Sequence, residues 1–240
     1  MKLSIVVAVY NGDKTLQACI DSIAGQTYTN RELIIMDAGS TDGTVDILQK
    51  NTCHASHWES APDRGIAHAW NKAMNHVHGE WIVFLGADDR LHDERVLADM
   101  AEVLSNDSVN DVVYGKITFE GGAAHGLVVG NAADLSVLRR RMIIPHTAAF
   151  HRRVFFEEVG QFDEAFKMAM DYEILLRKKT LAARFVDRHI TVMGGEGVSS
   201  RLIKKTLLEG RAAQIKNKVD WRAKIETWHA FYQLRHQFKF

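Results

Sequence analysis

Apolar residues fall into two rhythms along this chain. Largely apolar stretches, Leu3 to Val9 with only Ser4 polar, Glu32 to Met36 apolar after Glu32, and Trp81 to Leu85, suit strands buried on both faces, while apolar positions three and four apart suit helices with one face on a core. The first such helix follows Asp13, which can cap it, and gathers Leu16, Cys19, Ile20 and Ile23 on one side. The alternation continues with a helix from about Thr44, a short strand near Trp58 and a helix from Ile66 to Val77. After the Trp81 strand come a helix from Asp93 to Leu104 and a strand from Asp111 to Tyr114. Regular βαβα alternation predicts an α/β fold with a mainly parallel, Rossmann-like sheet flanked by helices.

From residue 115 the rhythm loosens. Gly121-Gly122 and Gly126 separate short β-prone pieces, as in a hairpin or a mobile loop. Asp134 to Arg140 then predicts a helix, Thr147 to His151 a strand, Met168 to Leu181 an amphipathic helix and Phe185 to Val192 a strand. Beyond residue 200 no strand pattern remains, and Trp221, Ile225, Trp228, Phe231 and Leu234 recur at helical spacing. The expected organisation is one domain over 1–200, with halves at 1–115 and 116–200, and a basic amphipathic helical tail over 201–240.

Composition narrows the classes. With 240 residues, 46% hydrophobic and 25% charged, the chain can build one large soluble core. Thirty basic and thirty acidic side chains cancel, which removes the electrostatic case for nucleic acid as a partner. The tail is locally different: from Arg201 onward ten Lys and Arg face three acids, Glu209, Asp220 and Glu226. Interleaved with Trp221, Trp228, Phe231, Tyr232 and Phe238, that charge suits peripheral contact with an anionic membrane surface. Packing of the same aromatic stripe on the domain, or on a second copy in a homodimer, suits it equally. Cys19 and Cys53 have neither metal-ligand nor redox spacing, which points to a reducing, cytoplasmic setting, at the inner face of the membrane if the tail binds there. The amino-terminal apolar run is too short for a signal peptide and enters a turn at Tyr10-Asn11-Gly12-Asp13, and no eighteen consecutive residues are apolar.

Candidate chemistry concentrates at strand ends. Asp88 and Asp89 follow the Trp81 strand directly, where open α/β sheets place ligands. Two adjacent carboxylates repel unless a cation lies between them, and Mg²⁺ or Mn²⁺ shares such oxygens with substrate phosphates. Aspartate at such a junction is also a common N-cap. Three further segments reach comparable positions: Val9-Tyr10-Asn11 at the end of strand one, Asp37 to Thr44 after strand two, and Pro62 to Asn71. In the second, Asp42 and Gly43 read as cap and turn, while Asp37 ends an apolar strand where a carboxylate could reach a nucleoside. In the third, Gly65 opens a helix whose free amides suit a diphosphate, and Arg64 adds charge.

Together, Val6 to Asn11, DAGSTDGT at 37–44, PDRGI with Asn71 at 62–71 and FLGADD at 84–89 resemble the nucleotide-sugar-binding half of family 2 glycosyltransferases of the GT-A fold, over roughly the first 115 residues. A weaker resemblance runs through His146 and Met170 to Arg177, similar to the helix that carries the family's catalytic base, and through the Gly-rich stretch Gly194 to Ser199, similar to relatives acting on bacterial polysaccharide precursors. The resemblance implies an inverting, metal-dependent transferase that moves a sugar from a nucleoside-diphosphate donor, UDP-sugar favoured, to a hydroxyl of a glycan or lipid-linked saccharide acceptor. It implies Asp89 as direct ligand of Mn²⁺ or Mg²⁺, and Asp88 as a contact to the ribose or, through water, to the metal. Val9, Tyr10, Asn11, Asp37, Asp63, Arg64, Gly65 and Asn71 become donor-binding residues, Asp171 the base, and His146 an acceptor or metal contact. The chain departs from the pattern at Ala38, where a second acid can read the base, at Gly86, where a further Asp is common, and at Met170, where Glu is common. A sugar-nucleotide pyrophosphorylase or a dinucleotide dehydrogenase would need a Gly-rich phosphate loop after strand one, which Tyr10-Asn11-Gly12-Asp13 does not supply. A catalytically silent sugar-nucleotide-binding partner of another transferase is the non-enzymatic alternative, against which stands the retention of Asp88, Asp89 and Asp171 together.

Overall fold

The computed structural model describes the backbone of residues 1–194 and 203–237, and the side chains of all of these except 123, 203 and 231–237. One nine-stranded sheet runs β3-β2-β1-β4-β8-β6-β9-β5, with β7 paired to β6 at the side. Its first half is fully parallel: β1 (Leu3–Val9) lies between β2 (Arg31–Asp37) and β4 (Trp81–Gly86), and β2 pairs with β3 (His57–Ser60). The second half is mixed. β8 (Ala149–Arg152) joins β4 and β6 (Val112–Glu120) antiparallel, and β9 (Ala183–Gly194) runs parallel to β6 and antiparallel to the short β5 (Arg90–Leu91). The glycine-rich piece after β6 is a hairpin, with β7 (Val128–Val129) folded back on Ile117 and Thr118.

The central strands are apolar on both sides because the sheet carries two cores. Leu3, Ile5, Val7 and Val9 meet α1 (Leu16–Ala24) and α4 (Val96–Ser105) on one face. Val6, Ile34 and Phe84 meet α3 (Ile66–Ala73), α5 (Arg153–Val159) and α6 (Met170–Arg177) on the other. A further short helix, α2 (Thr44–Lys50), follows β2. The helix expected over 66–77 turns 3₁₀ at Met74, that expected over 134–140 is a 3₁₀ segment capped by Asp134, and that expected over 168–181 is limited to Met170–Arg177 because Lys178 is extended.

Two helices follow residue 202: α7 (Ile203–Lys216) and α8 (Arg222–Gln237). They are part of the fold. Ala213, Gln214, Val219, Ile225 and His229 are buried, and α7 packs along α6. Arg211, Lys216, Arg222 and Lys224 are paired with Glu226, Asp163 and Glu173, Glu226, and Asp220 respectively, so four of the tail's ten basic side chains are engaged within the chain. Trp221 stays exposed. The side chains of Phe231, Tyr232 and Leu234, and all of Phe238, lie outside the described residues. Among those described, no helix is long and apolar enough to cross a membrane.

Candidate active site

β4 delivers the tandem acids through a tight turn. Asp89 N–H donates to the Gly86 carbonyl at 3.1 Å, and Gly86 N–H donates to Asp89 Oδ2 at 2.8 Å. This bends Asp89 inward, 3% exposed, and leaves Asp88 exposed. Asp89 Oδ1 is buried without a hydrogen-bond partner. Burial first, then the charge of Asp88, lifts the Asp89 carboxyl to about 7 in spite of the Gly86 amide. Two glycines give the acids room. A Cβ on Gly86 would stand 2.8 Å from Asp88 Oδ1 and 3.2 Å from Asp89 Oδ2, and one on Gly194 would stand 3.1 Å from Asp88 Oδ2.

Asp171 lies in the first turn of α6, half-buried, with Tyr172 N–H donating to its Oδ1 at 2.8 Å. Burial raises its carboxyl to about 6, against that hydrogen bond. The helix start has no local cap. Instead Glu209 Oε2, from α7, accepts from the N–H groups of Lys167, Met168 and Ala169 at 2.8, 2.6 and 3.1 Å. The base of α6 is anchored as well: Gln214 Nε2 donates to Tyr172 Oη at 2.9 Å, and buried Glu173 binds Arg177, Lys216 and Asn217.

Two adjacent cavities lie in front of these groups. A cleft of about 640 Å³ is lined by Val9, Tyr10, Asn11, Asp63, Gly65 and Asp88. A neighbouring cavity of about 320 Å³ is lined by Asp88, Asp89, His146, Lys167 and Asp171 among others. Ala8, Ile66, Gly86 and Asp88 border both, so strands β1 and β4 supply the shared wall. His146 stacks on Phe84 at 5.6 Å between ring centres and lies 4.8 Å from Trp70. Neither ring nitrogen has a partner, and burial, with His151 nearby, pushes its pKa well down, so the imidazole is neutral.

Three of the residues expected to bind the donor do not line the cleft, each for a visible reason. Asp37 is fully buried and spends its carboxylate on Gly39 N–H, Ser40 and Ser60 Oγ, shaping the loop whose Ala38 borders the cleft instead. Arg64 turns its guanidinium to Glu164 at 2.7 and 3.0 Å. Asn71 is buried away from the cleft, its amide donating to Phe162 O and accepting from Phe162 N–H, each at 2.9 Å. Nor does Asp13 cap α1: Thr15 occupies the cap position without a side-chain bond, and Asp13 N–H donates to Asp42 at 3.1 Å. Several of the other histidines are engaged or buried. His57 and His76 stack at 3.5 Å, His78 reaches Glu32 at 3.4 Å, His151 is fully buried and His229 meets Gln214. Of the Gly-rich stretch 194–199, all but Gly194 lies outside the described residues.

Lys167, Thr147 and four methionines also line the second cavity, and pattern reading missed them. Lys167, four residues before Asp171, offered the one local signal. Glu209 offered none, since its partners lie about forty residues away.

No cluster of three or more His, Cys, Asp or Glu side chains among the described residues could hold a metal ion alone. A hard divalent cation nevertheless fits Asp88 and Asp89 if substrate oxygens complete its shell, and the partnerless Oδ1 of Asp89 is the observation in favour.

Comparison with known proteins gives a consistent result. The family model described as "Glycosyl transferase family 2" matches residues 4–159. A PGL/p-HBAD biosynthesis glycosyltransferase of Mycobacterium bovis is 31% identical over 215 residues, covering 86% of this chain and 82% of that protein. Among solved structures, S. aureus TarS superposes with a TM-score of 0.72 at 19% identity, covering all of this chain and 44% of TarS. Residues 1–349 of TarS in complex with UDP give 0.69 at 18% identity, over all of this chain and 72% of that one. The mannosyltransferase PcManGT from Pyrobaculum calidifontis, in complex with GDP-Man and Mn²⁺, gives 0.68 at 22% identity, over 89% and 64%. At these identities the structural likeness speaks for the GT-A fold.

Proposed function

Because the chain belongs to glycosyl transferase family 2 and is therefore a glycosyltransferase, we propose that it acts by inversion, with a divalent cation, on a nucleoside-diphosphate sugar and an acceptor hydroxyl. The observation that carries this reading is that two adjacent cavities share Asp88 in their lining, with Asp89 and Asp171 lining the second. The larger cleft takes the donor, a UDP-sugar by preference, since the relative TarS was crystallised with UDP. The smaller takes the acceptor, a glycan or a lipid-linked saccharide.

Asp89, with Asp88 beside it, would hold Mn²⁺ or Mg²⁺. Bound there, such a cation supplies Lewis-acid stabilisation of the negative charge that grows on the departing diphosphate. The chain's own groups do the rest. Val9, Tyr10, Asn11, Asp63 and Gly65 form the walls that orient the nucleoside and diphosphate. Asp171 takes the proton of the acceptor hydroxyl as its oxygen bonds to the sugar's anomeric carbon from the face opposite the leaving group. The anomeric carbon–oxygen bond to the diphosphate breaks, and the leaving group departs with the electron pair. With its carboxyl near 6, Asp171 is ionised at neutral pH yet more basic than a solvated aspartate. Neutral His146 contributes no charge to the acceptor cavity.

The test is nucleotide release from a panel of sugar nucleotides with Mn²⁺, wild type against Asp171→Asn. Turnover with at least one donor in the wild type and its loss in the variant are expected. Undiminished turnover in the variant would remove Asp171 as base.

A further inference from the structure

The cavity beside Asp171 is poorly equipped to read a bare sugar. Four of the chain's eight methionines line it, Met142, Met168, Met170 and Met193, together with Ile117 and Ile144. Met142, Met168 and Met193 are partly exposed, so their thioethers offer contact surface. Most of the polar groups are already engaged. Lys167 Nζ donates to the Arg64 carbonyl at 2.6 Å, and Thr147 Oγ1 pairs with Thr191 Oγ1 at 3.2 Å. Beyond Asp88, Asp89 and Asp171, which the transfer reaction itself uses, the lining nitrogens without partners are those of the His146 imidazole and the Trp70 indole, and all three are buried.

A saccharide carries hydroxyls around its whole rim, and a site that selects one through them needs unengaged donors and acceptors. Methionine does the opposite. Its flexible, polarisable side chain moulds itself to apolar and aromatic bodies, with sulfur–ring contacts worth about 0.3–1.5 kcal/mol each. The volume, about 320 Å³, is at the lower end of the about 300–1,000 Å³ span of small-molecule sites, too small to enclose an extended oligosaccharide.

We infer that the acceptor presents its hydroxyl next to an apolar body, an aryl or alkyl aglycone, which the methionine-lined wall recognises. This rests on the reading that the cavity receives the acceptor. The shared chemistry is an apolar group adjoining the nucleophilic oxygen, and the source is either a flat ring or a hydrocarbon chain.

Calorimetric titration of the full chain, saturated with UDP and Mn²⁺, separates these cases. The probes are matched methyl, 4-nitrophenyl and n-octyl glycosides of several hexoses. In at least one matched set the nitrophenyl or octyl member is expected to bind at least tenfold more tightly than the methyl member, and whichever of the two leads identifies ring or chain. In the double variant Met142→Gln, Met168→Gln, which keeps side-chain length, the gap is expected to shrink below threefold while the affinity for UDP is unchanged. Equal binding of all three members, a gap that survives in the variant, or no glycoside binding to UDP-loaded protein overturns the inference and leaves the donor reading intact. Failure of the wild type to bind any nucleotide overturns the proposed function, and this inference with it.

Discussion

Asp171 and Asp89 both sit where burial makes ionisation costly, which is the signature expected of groups kept for chemistry. For Asp171 the folded carboxyl, near 6, lies above its ordinary 3.8, so the folded chain holds the proton more tightly than the unfolded chain does. Its ionisation therefore costs stability as pH rises from about 4 through about 6, up to roughly 3 kcal/mol by linkage. Asp171→Asn is accordingly expected to melt no lower than wild type at pH 7 while transfer falls about 10²- to 10⁴-fold. A lower melting temperature with intact transfer would make Asp171 a structural residue. The wild-type kcat/KM is expected to fall as pH drops through about 6, the range in which the base becomes protonated. At Gly86 a methyl group would collide with Asp88 Oδ1 and crowd Asp89 Oδ2. Gly86→Ala is expected to weaken Mn²⁺-assisted UDP binding at least tenfold with the fold retained by circular dichroism, and unchanged binding would count against the tandem acids as the cation site.

At the scale of elements, α6 shows what holds Asp171, the proposed base, in place. Its amino terminus is capped by Glu209, which accepts from three backbone amides, and hydrogen bonds to a charged group are worth about 1.5–3 kcal/mol each. Glu209→Ala is expected to lower kcat and melting temperature together and leave UDP affinity as in wild type, while a variant with wild-type kcat would separate the cap from catalysis. Local patterning could not reveal this link, because the cap is supplied by a distant helix. The same limit explains other differences. Leu3–Val9 and Trp81–Gly86 were legible because a strand buried on both faces is a largely apolar run. α5 was not expected, and β6 was expected to stop near Tyr114, because beyond Gly115 the side chains of β6 are mostly only partly buried and the pairing of the mixed half depends on register with remote strands. Of the residues proposed for the site, Asp88, Asp89 and Asp171 could be picked out by their position in the motifs, and all three line the cavities. That Asn71 and Arg64 lie off the cleft was not legible, because their partners, Phe162 and Glu164, lie far along the chain.

Taken whole, the molecule is a sheet whose two halves meet at the proposed reaction cleft, and the last two helices pack onto the same fold. A chain ending at Ser200 would lose the Glu209 cap, leave Glu173, fully buried, without Lys216 and Asn217, and uncover the surface that Ala213 and Ile225 shield. Such a truncation is expected to lose cooperative thermal unfolding, whereas a melting curve like that of the full chain would return these helices to the status of a loose appendage. The balance of charge over the whole chain leaves recognition to the cleft, and there the account depends on the tandem acids holding a cation against a nucleoside diphosphate. Calorimetric titration of UDP into wild type and Asp89→Asn, each with and without Mn²⁺, tests that directly. Mn²⁺ is expected to tighten UDP binding at least tenfold in wild type and to have no effect in the variant; binding that is equal in all four titrations would contradict it.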